Sequence, residues 1–204
     1  MNALILLKQD HNNVDALFTR FEELGEQPSP EKEQIRDKVV EHLSIHAAIE
    51  EQLFYPAVRE AAPDVEAWVL EGLEEHHVVK WTLSELQKMP VSAERFDAKM
   101  KVLIEAVRHH ATEEEEEIFP KVRDAMTNEA LEALGEALQE AKATAPTKAH
   151  PRTPDTPPLN ILVGLPVAIL DRVFDTGRET VAKVIDLTTS AVRNRSKDQE
   201  TVGR

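Results

Sequence analysis

Through the first 143 residues apolar side chains return every three or four positions, and no stretch alternates as a strand would. On the first segment, about Ala3 to Leu24, Leu4, Leu7, Val14, Phe18 and Phe21 share a heptad stripe with His11. Gly25 to Pro30 interrupts the pattern. A second helix is predicted from about Glu31, with Val39, His46, Glu50 and Leu53 on one stripe. Pro56 lacks an N–H and crowds the preceding turn, so the last turns of this helix should be disturbed. A third helix lies between Asp64 and Met89, on Val69, Leu73, His76, Val79, Leu83 and Leu86. A fourth begins near Ser92, read as its N-cap with Glu94 and Asp97 in the first turns. Its stripe is Met100, Leu103, Val107, His110, Glu114 and Ile118. A short fifth helix is expected over Glu129 to Ala143. Long helices with short connections predict an all-α, up-down-up-down four-helix bundle over residues 1–143.

The composition then changes. Residues 144–158 hold Pro146, Pro151, Pro154, Pro157 and Pro158 and read as a linker. Residues 159–204 read as an amphipathic helical tail, with Ile161, Leu165, Ile169, Val173, Val181 and Val184 opposite Arg172, Arg178, Glu179 and Lys183. Its polar face is mixed in sign rather than basic. Packing on the bundle or on a second subunit is therefore expected before membrane-surface binding, and a homodimer is left open. The net charge of −14 opposes a phosphate-binding surface, so nucleic acid is not an expected partner. Met1 to Leu7 has too short an apolar run and no leading basic cluster for a signal peptide. No apolar run reaches the roughly 20 residues that span a bilayer. The expectation is a cytoplasmic protein. With no cysteine in the chain, any metal must be held by His and carboxylate.

A repeat carries the chemistry. His46 is followed by Glu50, Glu51 and Pro56; His110 is followed at the same spacings by Glu114, Glu115 and Pro120. About 35 residues before each, an acid-His pair precedes a valine: Asp10-His11 with Val14, and Glu75-His76 with Val79. The shift is 65 residues for one element and 64 for the other. His and Glu at i and i+4 point the same way from a helix. His11, His46, Glu50, His76, His110 and Glu114 all lie on the stripes that should form the core. One such residue would be read as a polar exception bonded to a neighbour. Six at repeated spacing on four helices are read as metal ligands, because buried imidazoles and carboxylates need partners.

The remaining candidates sort by phase. His42 sits at the edge of its helix face, while His77 and His109 point away from the stripes of His76 and His110. In the run Glu113 to Glu117 only Glu114 has the right phase; the rest is read as a solvated face. Mixed imidazole and carboxylate without sulfur suits iron or manganese before zinc, and in a helical bundle it points to a non-haem di-iron centre.

At these residues the chain resembles the hemerythrin-like, or HHE cation-binding, family over roughly residues 3–125. The resemblance implies a four-helix bundle holding two iron ions with an oxo or hydroxo bridge and two bridging carboxylates. Oxygen-carrying hemerythrins have five His, two of them on the third helix as His-x-x-x-His. Here Lys80 stands four residues after His76, so only four imidazoles are placed. Water or another side chain is expected to fill the fifth position. Tyr55, the only tyrosine, is one further candidate metal ligand. An ideal helix points it about 140° from Glu50. A bulge at Pro56 would bring it to the site; otherwise it is a packed aromatic with a solvated hydroxyl.

The leading functional expectation is a redox di-iron protein that reacts with hydrogen peroxide, nitric oxide or dioxygen, in a peroxidase- or catalase-like detoxification. The alternatives are an oxygen or iron sensor and a reversible oxygen carrier or iron store.

Overall fold

The computed structural model describes residues 1–151. Most of the linker and the whole tail expected at residues 159–204 lie outside the described residues. Seven α-helices are described: α1 (Ala3–Glu23), α2 (Pro30–Ile49), α3 (Tyr55–Ala61), α4 (Glu66–Leu86), α5 (Phe96–Glu113), α6 (Phe119–Ala125) and α7 (Asn128–Lys142). α2 runs into α3, and α5 into α6, each through one wide turn, Glu50–Phe54 and Glu114–Ile118. The two continuous rods with α1 and α4 make the four-helix bundle, in which α1 packs on α2 and α4 on α5. No strand occurs among the described residues. None of their helices is long and apolar enough to cross a membrane.

The helix starts follow local chemistry. The Asn2 side chain accepts from the Leu4 N–H at 2.8 Å, opening α1. Ser29 accepts from the Lys32 N–H, with Pro30 at the first helical position of α2. One expected boundary is corrected. Ser92 does not cap the fourth bundle helix; α5 begins at Phe96, after turns in which Ala93 N–H donates to Pro90 and Phe96 N–H to Ala93. α4, Glu66–Leu86, lies within the expected span Asp64 to Met89, and a tight turn, Pro63–Val65, precedes it. α7 packs against α1 through Gly135, where a Cβ would lie 2.0 Å from the Met1 carbonyl oxygen. Only glycine lets the two backbones approach that closely.

Two apolar clusters flank the middle of the bundle. One gathers Leu6, Leu7, Phe54, Val58, Phe119 and Leu138; the other gathers Phe18, Val39, Leu83, Phe96, Met100 and Leu103. Between them lies a polar layer that includes His46, Glu50, His76, His110 and Glu114, each buried. Apolar packing on both sides fixes the helices that carry this layer.

Candidate metal centre

All six residues singled out by the repeat converge in this layer. Glu50 Oε2 lies 3.1 Å from His46 Nε2 and 3.3 Å from His76 Nε2. Glu114 Oε2 lies 3.4 Å from His11 Nε2 and 4.0 Å from His110 Nε2. His76 Nε2 and His110 Nε2 are 3.1 Å apart. Donor atoms of His11, His46, Glu50 and Glu114 fall within 4.8 Å of one another, and so do those of Glu50, His76 and His110. Glu50 belongs to both groups. His42 and His77 are exposed, and the His109 side chain is 63% exposed.

Each imidazole turns its other nitrogen to an outer carboxylate. His11 Nδ1 meets Glu115 at 3.0 Å, His76 Nδ1 meets Glu51 at 3.1 Å, and His110 Nδ1 meets Glu75 at 2.7 Å. His46 Nδ1 faces Asp10 at 3.7 Å, longer than a hydrogen bond. A carboxylate accepts, so the Nδ1 atoms of His11, His76 and His110 carry the protons and their Nε2 lone pairs face inward. This outer carboxylate behind a metal-facing imidazole is the arrangement that orients metal-bound histidines.

Helical phase alone did not single out these outer acids. Glu115, expected on a solvated face, is partly buried and meets His11. Asp10 and Glu75 sit next to His11 and His76 in sequence, yet each serves the imidazole of the neighbouring helix. The signal was present in the repeat, which duplicates both the acid before the first His and the Glu five residues after the second.

Tyr55 also reaches the layer. In the wide turn its N–H bonds the Glu50 carbonyl, an i→i+5 pattern that nearly completes a turn in five residues and sets both side chains on one face. The Phe119 N–H bonds Glu114 in the same way. Pro56 and Pro120 follow immediately, and their missing N–H is what makes an ordinary turn unavailable there. Tyr55 is 1% exposed and its hydroxyl donates to Glu114 Oε1 at 2.8 Å. The expectation of a solvated hydroxyl is thus overturned by the bulge. Gly72 makes the room, since a Cβ there would lie 3.0 Å from the Tyr55 hydroxyl oxygen.

The electrostatics of these side chains call for cations. Glu50 is fully buried and neither of its oxygens has a hydrogen-bond partner; Glu114 Oε2 and His11 Nε2 also lack one. Burial, then the Glu114 charge, pushes the Glu50 carboxyl well above the usual range. Burial would raise Glu114 too, but the His110 and His11 imidazoles hold it well below that range. Burial pulls His46 down to about 4, against the Asp10 contact. His76 also falls well below the usual imidazole value, through burial and then His110. Nitrogen and oxygen donor atoms thus face one another at 3–4 Å in a buried layer, where without cations only protons hold them together. Divalent or trivalent cations between them satisfy every one of these atoms, so the residues present fit a metal site.

A sequence profile of the Hemerythrin HHE cation binding domain matches residues 2–122. The chain belongs to this hemerythrin-like family. A hemerythrin-like protein of Schizosaccharomyces pombe is 24% identical over 82% of this chain and 82% of its own length. The Mycobacterium tuberculosis protein Rv2633c is 29% identical over 68% of this chain and 83% of its own. A crystal structure of an HHE cation binding domain-containing protein from Mycobacterium kansasii, a homolog of Rv2633c, superposes with a TM-score of 0.58 at 28% identity, covering 71% of this chain and 89% of that one. A DNA nickase of a Nostoc species is 28% identical over 70% of this chain, which spans only 40% of that protein. The family and the buried His/Glu cluster together support a hemerythrin-like metal-binding protein.

Proposed function

We propose that this hemerythrin-like chain holds a non-haem di-iron pair and uses it to react with small oxidants in a peroxidase- or catalase-like detoxification. Hydrogen peroxide is the primary substrate, and nitric oxide and dioxygen belong to the same class. The observation that supports this most is the inward donor set: imidazole nitrogens whose opposite faces are held by carboxylates, and carboxylate oxygens without hydrogen bonds. In this reading His11, His46, His76 and His110 are terminal ligands. Glu50 and Glu114 would be shared by the two ions, since each lies between imidazoles from opposite halves. Tyr55 is a further oxygen donor beside Glu114. Iron held by these residues would supply one-electron redox and Lewis-acid chemistry.

The protein's own part is positioning and exclusion. Glu51, Glu75 and Glu115 keep three imidazoles oriented with Nδ1 protonated. Val14, Leu43, Val79 and Val107 line a cavity of about 20 Å³ beside the imidazoles, room for about one water-sized molecule. α4 offers one imidazole, and the Lys80 ammonium is turned to Glu51 at 2.9 Å. With oxygen donors replacing a fifth imidazole, the ferric state is favoured over a reversible oxygen adduct. Disproportionation of peroxide to water and dioxygen needs no outside electron donor. The net charge of −14 opposes a DNA substrate, so the nicking named for the Nostoc protein is not part of this proposal.

Oxygen release from hydrogen peroxide, followed with an oxygen electrode, tests the reading. Metal-dependent release is expected, with no reversible adduct when the reduced protein is titrated with oxygen. Reversible oxygen uptake with peroxide untouched would give the protein to the carrier reading instead.

A further inference from the structure

The two halves of the bundle reach one feature by different routes. In the second half, Lys80 on α4 donates to both oxygens of Glu51, at 2.9 and 3.1 Å, and Glu51 Oε1 accepts from His76 Nδ1. In the first half, Lys8 on α1 donates to Glu115, and Glu115 accepts from His11 Nδ1. Glu51 and Glu115 are equivalent in the repeat, as are His76 and His11. The lysines are not. Lys8 stands three residues before its imidazole and Lys80 four residues after. The residue equivalent to Lys80 is Asp15, which is exposed and pairs with Arg108. What the halves share is therefore an ammonium on the outer carboxylate, not a lysine at one position.

Packing does not explain Lys80. Its side chain is 9% exposed and that of Glu51 is 5% exposed. Taking both ions out of water costs as much as their attraction returns, and apolar residues of similar volume would stabilise the helix contact at least as well. The pair is also not isolated, since Glu51 touches an imidazole whose Nε2 faces Glu50. Lys8, in contrast, has a side chain 58% exposed, so water screens its charge. Of these two ammonium groups, only that of Lys80 acts from inside the bundle.

We propose that Lys80 is a positioning residue for the metal pair. Through Glu51 it fixes His76 with Nδ1–H outward and Nε2 inward, and its buried charge sets the electron affinity of the His76 side. An ammonium on both oxygens of Glu51 weakens that carboxylate as an acceptor, so less electron density reaches the imidazole and the metal behind it. This inference rests on the di-iron reading, and its test separates the two.

The test uses the iron-loaded full chain and the variants Lys80→Met, Lys80→Arg and Glu51→Gln, with metal content measured for each. Spectroelectrochemical titration reads the equilibrium constant for reduction. Lys80→Met, which leaves the carboxylate a stronger acceptor, should lower it at least tenfold, which is 59 mV for a one-electron couple. Lys80→Arg should restore it to within about threefold, since the charge is kept. Glu51→Gln, a weaker acceptor of similar shape, should raise it. A merely structural pair would move none of these in opposite directions. Unchanged constants in Lys80→Met and Glu51→Gln overturn the proposal. If Lys80→Met does not fold, Glu51→Gln decides alone, an upward shift supporting the proposal and an unmoved constant overturning it.

A second readout does not need iron. In zinc-loaded protein the His76 Nδ1–H proton resonance should move downfield in Lys80→Met and upfield in Glu51→Gln. If these shifts appear while the iron-loaded wild type shows no reducible metal, the di-iron reading fails and the role of Lys80 stands. If neither variant moves the resonance, the role of Lys80 falls.

Discussion

Gly72 offers a quantitative test of how Tyr55 is held. A Cβ at position 72 would lie 3.0 Å from the Tyr55 hydroxyl oxygen and 3.4 Å from His110 Cε1. Tyr55 is buried and cannot swing outward, so Gly72→Ala must push its hydroxyl off Glu114 Oε1, 2.8 Å away. A hydrogen bond to a charged acceptor contributes about 1.5–3 kcal/mol. Against this, alanine in a helix interior gains about 0.8–1 kcal/mol over glycine. The net expectation for Gly72→Ala is a loss of about 0.5–2 kcal/mol. In a Tyr55→Phe background the clash is gone, because the ring carbon Cζ is an ordinary 3.5 Å from the added Cβ. There the same change should be neutral or stabilising by up to about 1 kcal/mol. The coupling between the two positions is then about 1.5–3 kcal/mol, well above the scatter of independent sites. Urea denaturation of chelated wild type, both single variants and the double variant measures it. Additivity within about 0.5 kcal/mol would refute the packing of Tyr55 against Gly72.

Two further outcomes follow from the same geometry. His46 falls to about 4 on folding from an ordinary 6.5, so below pH 6.5 the unfolded chain takes up a proton that the folded chain refuses until about pH 4. His46 alone should take about 3 kcal/mol from the stability of the chelated protein as pH falls through that window, with His76 acting in the same direction and the raised His11 and Glu50 opposing; a His46→Ala variant whose urea midpoints follow the same pH dependence as wild type would contradict this. Truncation after Ala143 should leave a folded, metal-binding domain, because the six proposed ligands and Lys142, which reaches Asp10, all precede the cut; metal loss measured on the truncated chain would move the domain boundary into the tail.

The fold and the inner donors were legible because both depend on helical periodicity. His11, His46, His76 and His110 lie on apolar stripes, and a duplicated spacing marks them as a set. The outer carboxylates were not legible by phase, because Asp10 and Glu75 are rotated about 100° from their sequence neighbours and act across a helix crossing. Tyr55 reaches the layer only through the wide turn at Glu50–Phe54, since a regular helix carries i+5 to another side. The prolines at 56 and 120 announced a disturbance but not its form. Lys80 was visible as the departure from a fifth imidazole. That it turns to Glu51, rather than leaving a gap, depends on where α2 passes α4.

The central claim is a pair of iron ions bridged by Glu50 and Glu114. Elemental analysis with a visible spectrum, on freshly purified wild type beside Glu50→Ala and Glu114→Ala, tests it most directly. Wild type should carry two irons per chain and show charge-transfer absorption, and either variant should lose most of both. One metal or none in the wild type, a spectroscopically silent zinc, or variants with full iron and an unchanged spectrum would contradict it.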